Sequence, residues 1–519
     1  MMEFPMSNEP SLGPRAFPAR EIREVLQWPD GKADSRLALR FEGNDLSYGA
    51  LDEQSRELAA GLEKEGIQPG DRVAAYMPNC LEIYQLYFAT AAARGIFLAV
   101  NQALTIPEVA YLFGHAKPAL LFTRPDLRPQ VEEALSIAGH RARIIEVDMS
   151  KPSGSRVAFL GVPGGAPSAR PEPDDICLIS YSSGTTSNPK AIAYSNRVEV
   201  EGCDLYRQAW DLKPEDRVLI ALSLGWTYGI NPGSFPAFRG GATIVLLEKF
   251  NPVRVLESIE TEKVSVFMGV PTMYGMMIEH VEQTGKAYDL SSLRLALCAG
   301  SELPTAIALK FEQLFGIGLT NFLGISEVKL VASPRAAENM PVPVGSVGVI
   351  PPGVEIRLVD EHGQDVPAGE PGEILVKSPG WMAGYYLEPE KTAAARRDGW
   401  FLSGDLGRFD ESGFFYMVGR NRDQIIRGGA KIAPAEVEDA LSSHPDIVLS
   451  AVIGIPDPLY GEEVKAFVIS RNPALAAEAL QEHCRPLLSS FKIPTRIEFV
   501  DELPLGPTGK VLKKALKRA

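Results

Sequence analysis

The chain has no CxxC pair. Its five cysteines, Cys80, Cys177, Cys203, Cys298 and Cys484, are scattered over 519 residues and encode neither a disulfide framework nor a zinc site. A reducing, cytoplasmic setting is expected. The six histidines show no close metal-ligand pairing. Positive charge is in deficit, with 52 Lys and Arg against 66 Asp and Glu and a net charge of −14. Nucleic-acid binding, which rests on clustered positive charge, is thereby set aside. The first twenty residues mix Pro, Glu and Arg without the apolar centre of a signal peptide, and no later run approaches ~18 uninterrupted apolar residues, so neither secretion nor a membrane span is expected. A Walker A loop is also missing, because Gly509-Lys510 lacks both the upstream Gly and the following Ser or Thr.

What is present reads as globular: hydrophobic residues make up 45% and charged residues 23%. At ~100–200 residues per domain the length implies more than one structural unit. Helical periodicity over 50–64, carried by Leu51, Leu58, Ala59 and Leu62, stops at Gly66. A strand at 72–77, a helix at 81–93, a strand at 96–100, a helix at 106–114 and a strand at 119–123 follow. The alternation returns with strands at 242–247 and 264–268. Such alternation implies largely parallel sheets covered by helices. Pro, Gly, Ser and Ala dominate 151–174, which reads as an exposed connection into a buried strand at 176–181. Over 345–419, short strands between Gly and Pro turns indicate a smaller antiparallel or barrel-like unit. Beyond 422, helices at 435–443 and 475–487 and strands at 448–455 and 464–469 make a compact α+β tail.

The expected architecture is therefore α/β. A large N-terminal domain, 1–421, holds the helix-covered sheets and a β-rich subdomain at 345–419. A small α+β C-terminal domain occupies 422–519.

Directly after the buried strand stands Ser182-Ser183-Gly184-Thr185-Thr186-Ser187-Asn188-Pro189-Lys190. Hydroxyls, backbone amides and one ammonium in such a loop can surround phosphate oxygens, with Gly184 letting the backbone approach. The plain alternative is a polar turn between two strands. Order and spacing closely resemble the signature of the adenylate-forming (AMP-binding) superfamily, which includes acyl-CoA synthetases, peptide-synthetase adenylation domains and beetle luciferases. Departures are Ser187 and Ala191 where Gly is usual, and Asn196 where many members carry His.

Further segments resemble family patterns in the same order, and the resemblance supplies their roles. Cys298-Ala299-Gly300-Ser301-Glu302-Leu303-Pro304 resembles the adenine-binding turn, giving Gly300, Ser301 and Glu302 as nucleotide contacts beside Ser182, Ser183, Gly184, Thr185, Thr186 and Lys190. In Asn321-Phe322-Leu323-Gly324-Ile325-Ser326-Glu327, Leu323 replaces a usual Tyr and Ser326 a usual Thr. There Ser326 would donate to an α-phosphate or carboxylate oxygen, and Glu327 would hold Mg²⁺ through a hard oxygen ligand. Gly399-Trp400-Phe401-Leu402-Ser403-Gly404-Asp405-Leu406 supplies Asp405 for the ribose diol. Gly419-Arg420-Asn421-Arg422-Asp423 supplies Arg420 for ribose or phosphate and Arg422 as the hinge about which the small domain rotates. Gly428-Gly429 corresponds to the glycine loop lining the thiol tunnel. Pro504-Leu505-Gly506-Pro507-Thr508-Gly509-Lys510 ends on the adenylation lysine, Lys510.

The segment Ser223-Leu224-Gly225-Trp226-Thr227-Tyr228-Gly229 occupies the acyl-pocket position, and its aromatic ending resembles aryl-acid ligases. Bulky Trp226 and Tyr228 beside Gly229, Leu323 and Gly324 favour a short, branched or aromatic acid over a long chain. No Asp here can pair with an α-ammonium, which argues against amino acids. Lys329 stands where relatives carry other residues. It is read either as a recognition group for a second carboxylate or oxygenated substrate, or as a surface lysine.

The resemblance implies an ATP-dependent acid:CoA ligase. The acid forms an acyl-AMP with release of pyrophosphate, and the acyl group then passes to the thiol of CoA. Alternatives are an adenylation enzyme loading the phosphopantetheine of an acyl carrier protein, and a nucleotide-binding protein impaired in catalysis. Expected partners are a carboxylic acid, ATP with Mg²⁺, and CoA, for a monomer or homodimer.

Overall fold

The computed structural model describes residues 21–27, 35–182, 189–301, 303–338, 341–420, 424–427, 430–458, 460–506 and 511–517, with backbone alone for Arg420, Lys431 and Lys514. Within these residues, short apolar strands build two sheets of seven strands each. The first runs in space as Gly384–Tyr385, Lys190–Ser195, Ile176–Ser182, Ile96–Ala99, Arg72–Tyr76, Leu120–Thr123 and Arg143–Glu146. The last five are parallel, and Lys190–Ser195 is antiparallel to both of its neighbours. The second runs Leu319–Asn321, Leu295–Cys298, Val266–Gly269, Arg217–Ile220, Thr243–Leu246, Leu37–Phe41 and Asn44–Ser47, parallel except for the terminal hairpin.

Leu120–Thr123 and Val266–Gly269 are buried along their whole length, as sheets covered on both faces require. The helix Leu81–Ala92 is buried at every position. From it, Tyr87 stacks on Phe235 at 4.6 Å between ring centroids, and Phe88 meets Phe238 edge-on at 5.6 Å. These rings belong to one hydrophobic core shared by both sheets. Helix starts follow local chemistry. Ser47 accepts from the Ala50 amide, Asn251 accepts from the Arg254 amide, and Thr105 with Glu108 closes a reciprocal capping box, each such cap being worth roughly 1 kcal/mol.

The observed elements Tyr48–Lys64, Arg72–Tyr76, Leu81–Ala92 and Ile106–Ala116 match the sequence expectation to within two residues at each end. Two stretches differ. The connection 151–174 is not simply exposed: Ser153 donates to Glu82 Oε2 at 2.9 Å, and the Gly154 amide donates to Glu82 Oε1. The fully buried Glu82 carboxylate needs those donors, and the loop supplies them. Within the stretch read as β-rich, Gly384–Tyr385 leaves that unit and pairs with Ala193 and Ile192 at the edge of the first large sheet.

The remaining strands of that stretch, Glu355–Val359, Gly372–Lys377, Trp400–Phe409 and Phe415–Arg420, pair antiparallel, with Arg396–Arg397 on Trp400–Phe409. The tail carries its own sheet, Ile425–Arg427, Ala430–Ile432, Gly461–Ser470, Ile447–Asp457 and Arg496–Phe499, and the helices Pro434–Ser442 and Ala477–Cys484. Its core includes Ile432, Val437, Leu441, Val464 and Leu480. Among the described residues, no helix is long and apolar enough to cross a membrane.

Candidate active site

The hairpin formed by Ile176–Ser182 and Lys190–Ser195 places Ser182 opposite Lys190. Ser183, Gly184, Thr185 and Thr186 lie outside the described residues. The hairpin delivers the ammonium of Lys190 to within 3.5 Å of Glu327 Oε1 and 3.2 Å of the Tyr385 hydroxyl. Tyr385 in turn donates to the same Glu327 oxygen at 2.8 Å. Burial, with the Glu327 charge beside it, pushes the Tyr385 phenol far above its ordinary range, so the group remains a hydrogen-bond donor.

Sequence reasoning did not single out Tyr385. It belongs to the two-residue strand that joins the large sheet, and nothing in a Gly- and Pro-rich stretch announces that pairing. Ser326 lies on the turn between the paired strands Leu323–Ile325 and Lys329–Ala332. Its carbonyl accepts from Tyr194 at 2.7 Å.

The acyl-pocket candidates form an aromatic cluster tied to the same hairpin through Thr227. Thr227 opens the short helix Thr227–Ile230, and its hydroxyl lies 2.5 Å from that of Ser180, two residues before Ser182. Trp226 meets Tyr228 edge-on at 5.4 Å, and Tyr228 meets Phe322 edge-on at 5.6 Å. The Tyr228 hydroxyl is spent on the Gly269 carbonyl at 3.2 Å.

Small residues make room for these rings. A Cβ on Gly300, whose φ is +89°, would lie 3.2 Å from the Trp226 ring, and one on Gly324 would lie 3.1 Å from the Tyr206 hydroxyl. At Gly229 a Cβ would fall 2.2 Å from the Ser223 carbonyl oxygen, closer than any contact allows. Leu323 is half-buried beside Phe322, and Ser301 is half-buried beside Gly300. Phe322 and Tyr206 complete the aromatic wall and were not anticipated.

Lys329 is 3% exposed, so it is no surface lysine. Its ammonium lies 2.5 Å from Glu199 Oε1 and 3.7 Å from the centroid of the Tyr194 ring. Glu199 is itself fully buried. The cation offered by sequence for a second carboxylate is thus already engaged by the protein. Asn196, at the position where many relatives carry His, is a structural staple. It accepts from the Ile22 amide at 3.1 Å and donates to the Glu172 carbonyl at 3.1 Å.

Asp405 is buried within Trp400–Phe409, next to Gly404 at φ +71°, and in register it faces Arg420 on the neighbouring strand. Its amide donates to the Ser403 hydroxyl at 3.0 Å. Glu302, Arg422, Gly428, Gly429 and Lys510 lie outside the described residues. Among the described residues, no group of three or more His, Cys, Asp or Glu could hold a metal ion by itself. A lone buried carboxylate such as Glu327 nevertheless fits Mg²⁺, which commonly takes one or two protein carboxylates and completes its shell with substrate phosphates and water.

Comparison with known proteins places the chain in a family. The AMP-binding enzyme family matches residues 26–386, and the AMP-binding enzyme C-terminal domain matches 436–510. A feruloyl-CoA synthase of an Amycolatopsis species is 34% identical over 499 residues, which span 95% of this chain and 98% of that protein. ATP-bound MatB from Rhodopseudomonas palustris superposes with a TM-score of 0.86 at 29% identity, over 96% of this chain and 98% of its own. The anthranilate CoA ligase AuaEII in complex with anthranoyl-AMP superposes with a TM-score of 0.87 at 26% identity, over 97% and 98%. The chain therefore belongs to the AMP-binding enzyme family and is an AMP-forming acid–CoA ligase of the acyl-CoA synthetase type.

Proposed function

We propose that this ligase activates a compact aromatic or branched monocarboxylic acid. The observation that carries the reading is the aromatic wall of Trp226, Tyr228 and Phe322, packed beside Gly300 and Gly324 and tied through Thr227 and Ser180 to the hairpin that carries Lys190. Flat rings meeting edge-on favour another ring over a long flexible chain. The engagement of Lys329 by Glu199 removes the cation that would have received a second carboxylate. Two of the relatives above are named for aromatic acids, feruloyl and anthranilate, which supports the same direction.

In the first half-reaction, a carboxylate oxygen of the acid bonds to the α-phosphorus of ATP. The bond from that phosphorus to the bridging oxygen breaks, and pyrophosphate leaves. A carboxylate is already ionised at neutral pH, so no base is needed. The protein's work is positioning and charge compensation. Lys190 and the hydroxyl loop face the departing phosphates, Ser326 donates to the α-phosphate or carboxylate, and Lys510 bridges the two reactants. Asp405 takes the ribose diol, Arg420 contacts ribose or phosphate, and Gly300, Ser301 and Glu302 line the base. Glu327 would hold Mg²⁺, whose charge offsets that of the triphosphate.

In the second half-reaction, the CoA sulfur bonds to the acyl carbon, the bond to AMP breaks, and the thiol proton is released. Lys510 must withdraw for this. The small domain, 422–519, turns about Arg422 relative to 1–421 and brings the Gly428-Gly429 loop to the site, a gating motion. The substrate assignment is tested by ATP–pyrophosphate exchange over a panel of acids. Aryl and short branched monocarboxylates should drive exchange far better than palmitate, amino acids or dicarboxylates. Preferred exchange with palmitate or with a dicarboxylate would overturn it. Thioester formation with free CoA rather than with a carrier protein identifies the acceptor.

A further inference from the structure

The turn that carries Ser326 and Glu327 is held with unusual thoroughness. Three consecutive carbonyls are each taken by a different residue, from two segments of the protein. The Ser326 oxygen accepts from the Tyr194 hydroxyl at 2.7 Å, the Glu327 oxygen from the Met382 amide at 2.7 Å, and the Val328 oxygen from the Ser378 hydroxyl at 2.8 Å. The next residue is Lys329, a non-glycine residue in the left-handed region at φ +64°, a conformation that costs energy unless its surroundings enforce it. What enforces it is the side chain.

The lysine stem passes between two backbones that carry no side chains. A Cβ on Gly202 would sit 2.9 Å from Lys329 Cγ, and one on Gly380 would sit 2.7 Å from it. At the end of this slot the ammonium meets Glu199 Oε1 at 2.5 Å and the face of Tyr194 at 3.7 Å. Two fully buried charges are costly and need each other. Tyr194, whose ring lies under the ammonium, is the same residue whose hydroxyl holds the Ser326 carbonyl. The path from Glu199 to Lys329 to Tyr194 to Ser326 is therefore continuous.

We infer that the buried Lys329–Glu199 pair is a positioning device that fixes the Ser326–Glu327 turn, through Tyr194 and the backbone of Lys329 itself, in the geometry the adenylation step requires. Both charged groups are buried and engaged with each other. Lys329 and Glu199 are positioning residues, and Glu199, 130 residues away on the helix Asn196–Ala209, anchors the turn to the element that follows the phosphate-loop hairpin. The inference rests on the proposed roles of Ser326 and Glu327.

The test measures exchange kinetics and thermal midpoint on Lys329→Met, Glu199→Gln, the double variant and Tyr194→Phe, using an acid that the wild type activates. Each single charge removal strands the other charge and should lower both the midpoint and kcat. The double variant removes both charges with little change in volume. It should recover the midpoint while kcat remains at least ~10-fold below wild type, a loss of the size expected for one misplaced hydrogen bond. Tyr194→Phe keeps the ion pair and the ring. It should retain the midpoint and the KM for ATP and still lose ~10-fold in kcat. Recovery of both midpoint and kcat in the double variant would make the pair purely structural and overturn the inference. Wild-type kcat in Tyr194→Phe would overturn it equally, even if the other variants failed to fold. If the wild type gives no exchange with any acid, it is the proposed function that fails.

Discussion

Replacing Tyr385 with Phe deletes a single oxygen from the polar centre and leaves the ring in place. The lost bonds are the 2.8 Å donation to Glu327 Oε1 and the weaker 3.2 Å bond that Lys190 donates to the phenol oxygen, of which the first governs the Glu327 carboxylate. A hydrogen bond to a charged group contributes about 1.5–3 kcal/mol, and each 1.36 kcal/mol is tenfold in rate, so the full range is roughly 10- to 150-fold. The lower half of that range applies here. Lys190 stays within 3.5 Å of the same oxygen, and its side chain is 31% exposed, so solvent partly screens the change. The expected loss is ~10- to 30-fold in kcat for ATP–pyrophosphate exchange. Because Tyr385 is buried and its ring continues to pack, the thermal midpoint should move little. The assay is exchange at saturating ATP and acid, with a melting curve on the same preparation. A kcat within twofold of wild type would refute the claim that Tyr385 fixes the Glu327 carboxylate for the reaction.

Lys510→Ala should suppress exchange by at least ~100-fold, the loss typical of a preorganised donor at developing charge, while nucleotide binding followed by titration persists; unaltered exchange would remove the lysine from the first half-reaction. Arg422→Pro should leave exchange near wild type and impair thioester formation, because only the second step needs the domain turn; equal loss of both would contradict the hinge. In the tail, burial together with the Glu438 charge raises Asp439 from 3.8 to about 6. A raised carboxyl pKa favours the folded state only while the group is protonated, so its contribution is present below about 3.8 and lost as pH rises through about 6. Asp439→Asn should therefore stabilise the protein by up to about 3 kcal/mol at pH 8, with only about 0.5 kcal/mol of that gain left at pH 4. Denaturant melts at the two pH values check this, and a gain confined to low pH would contradict it.

The sequence carried the alternation of strand and helix well, because strands such as Leu120–Thr123 are buried on both faces and helices such as Tyr48–Lys64 begin at a capping serine. Those signals are local. Contacts across long separations left no such trace. Gly384–Tyr385 is two residues long and takes its partner from Ala193 and Ile192, so nothing in its own composition marks it as part of the large sheet. Lys329 reads as an unusual charge in a motif, and its burial becomes intelligible only beside Glu199, Gly202 and Gly380. The connection 151–174 has the composition of an exposed loop, yet its Ser153 and Gly154 satisfy Glu82, a need that arises in another element. Of the site, the sequence offered the residues of the motifs; the structure pairs Lys190 with Glu327, and separately packs Trp226 against Tyr228 and Gly300, and Gly324 against Phe322. Tyr385, Phe322 and Tyr206 came only with the fold, since each belongs to the site by packing and not by pattern.

Product analysis after incubating the wild-type protein with ATP, Mg²⁺, CoA and an aryl monocarboxylic acid tests the central claim most directly. The account predicts AMP and pyrophosphate in equal amounts, formed only when the acid is present, with an acyl-CoA thioester appearing in step with AMP. Formation of ADP and phosphate, or of AMP at the same rate without any acid, would contradict it.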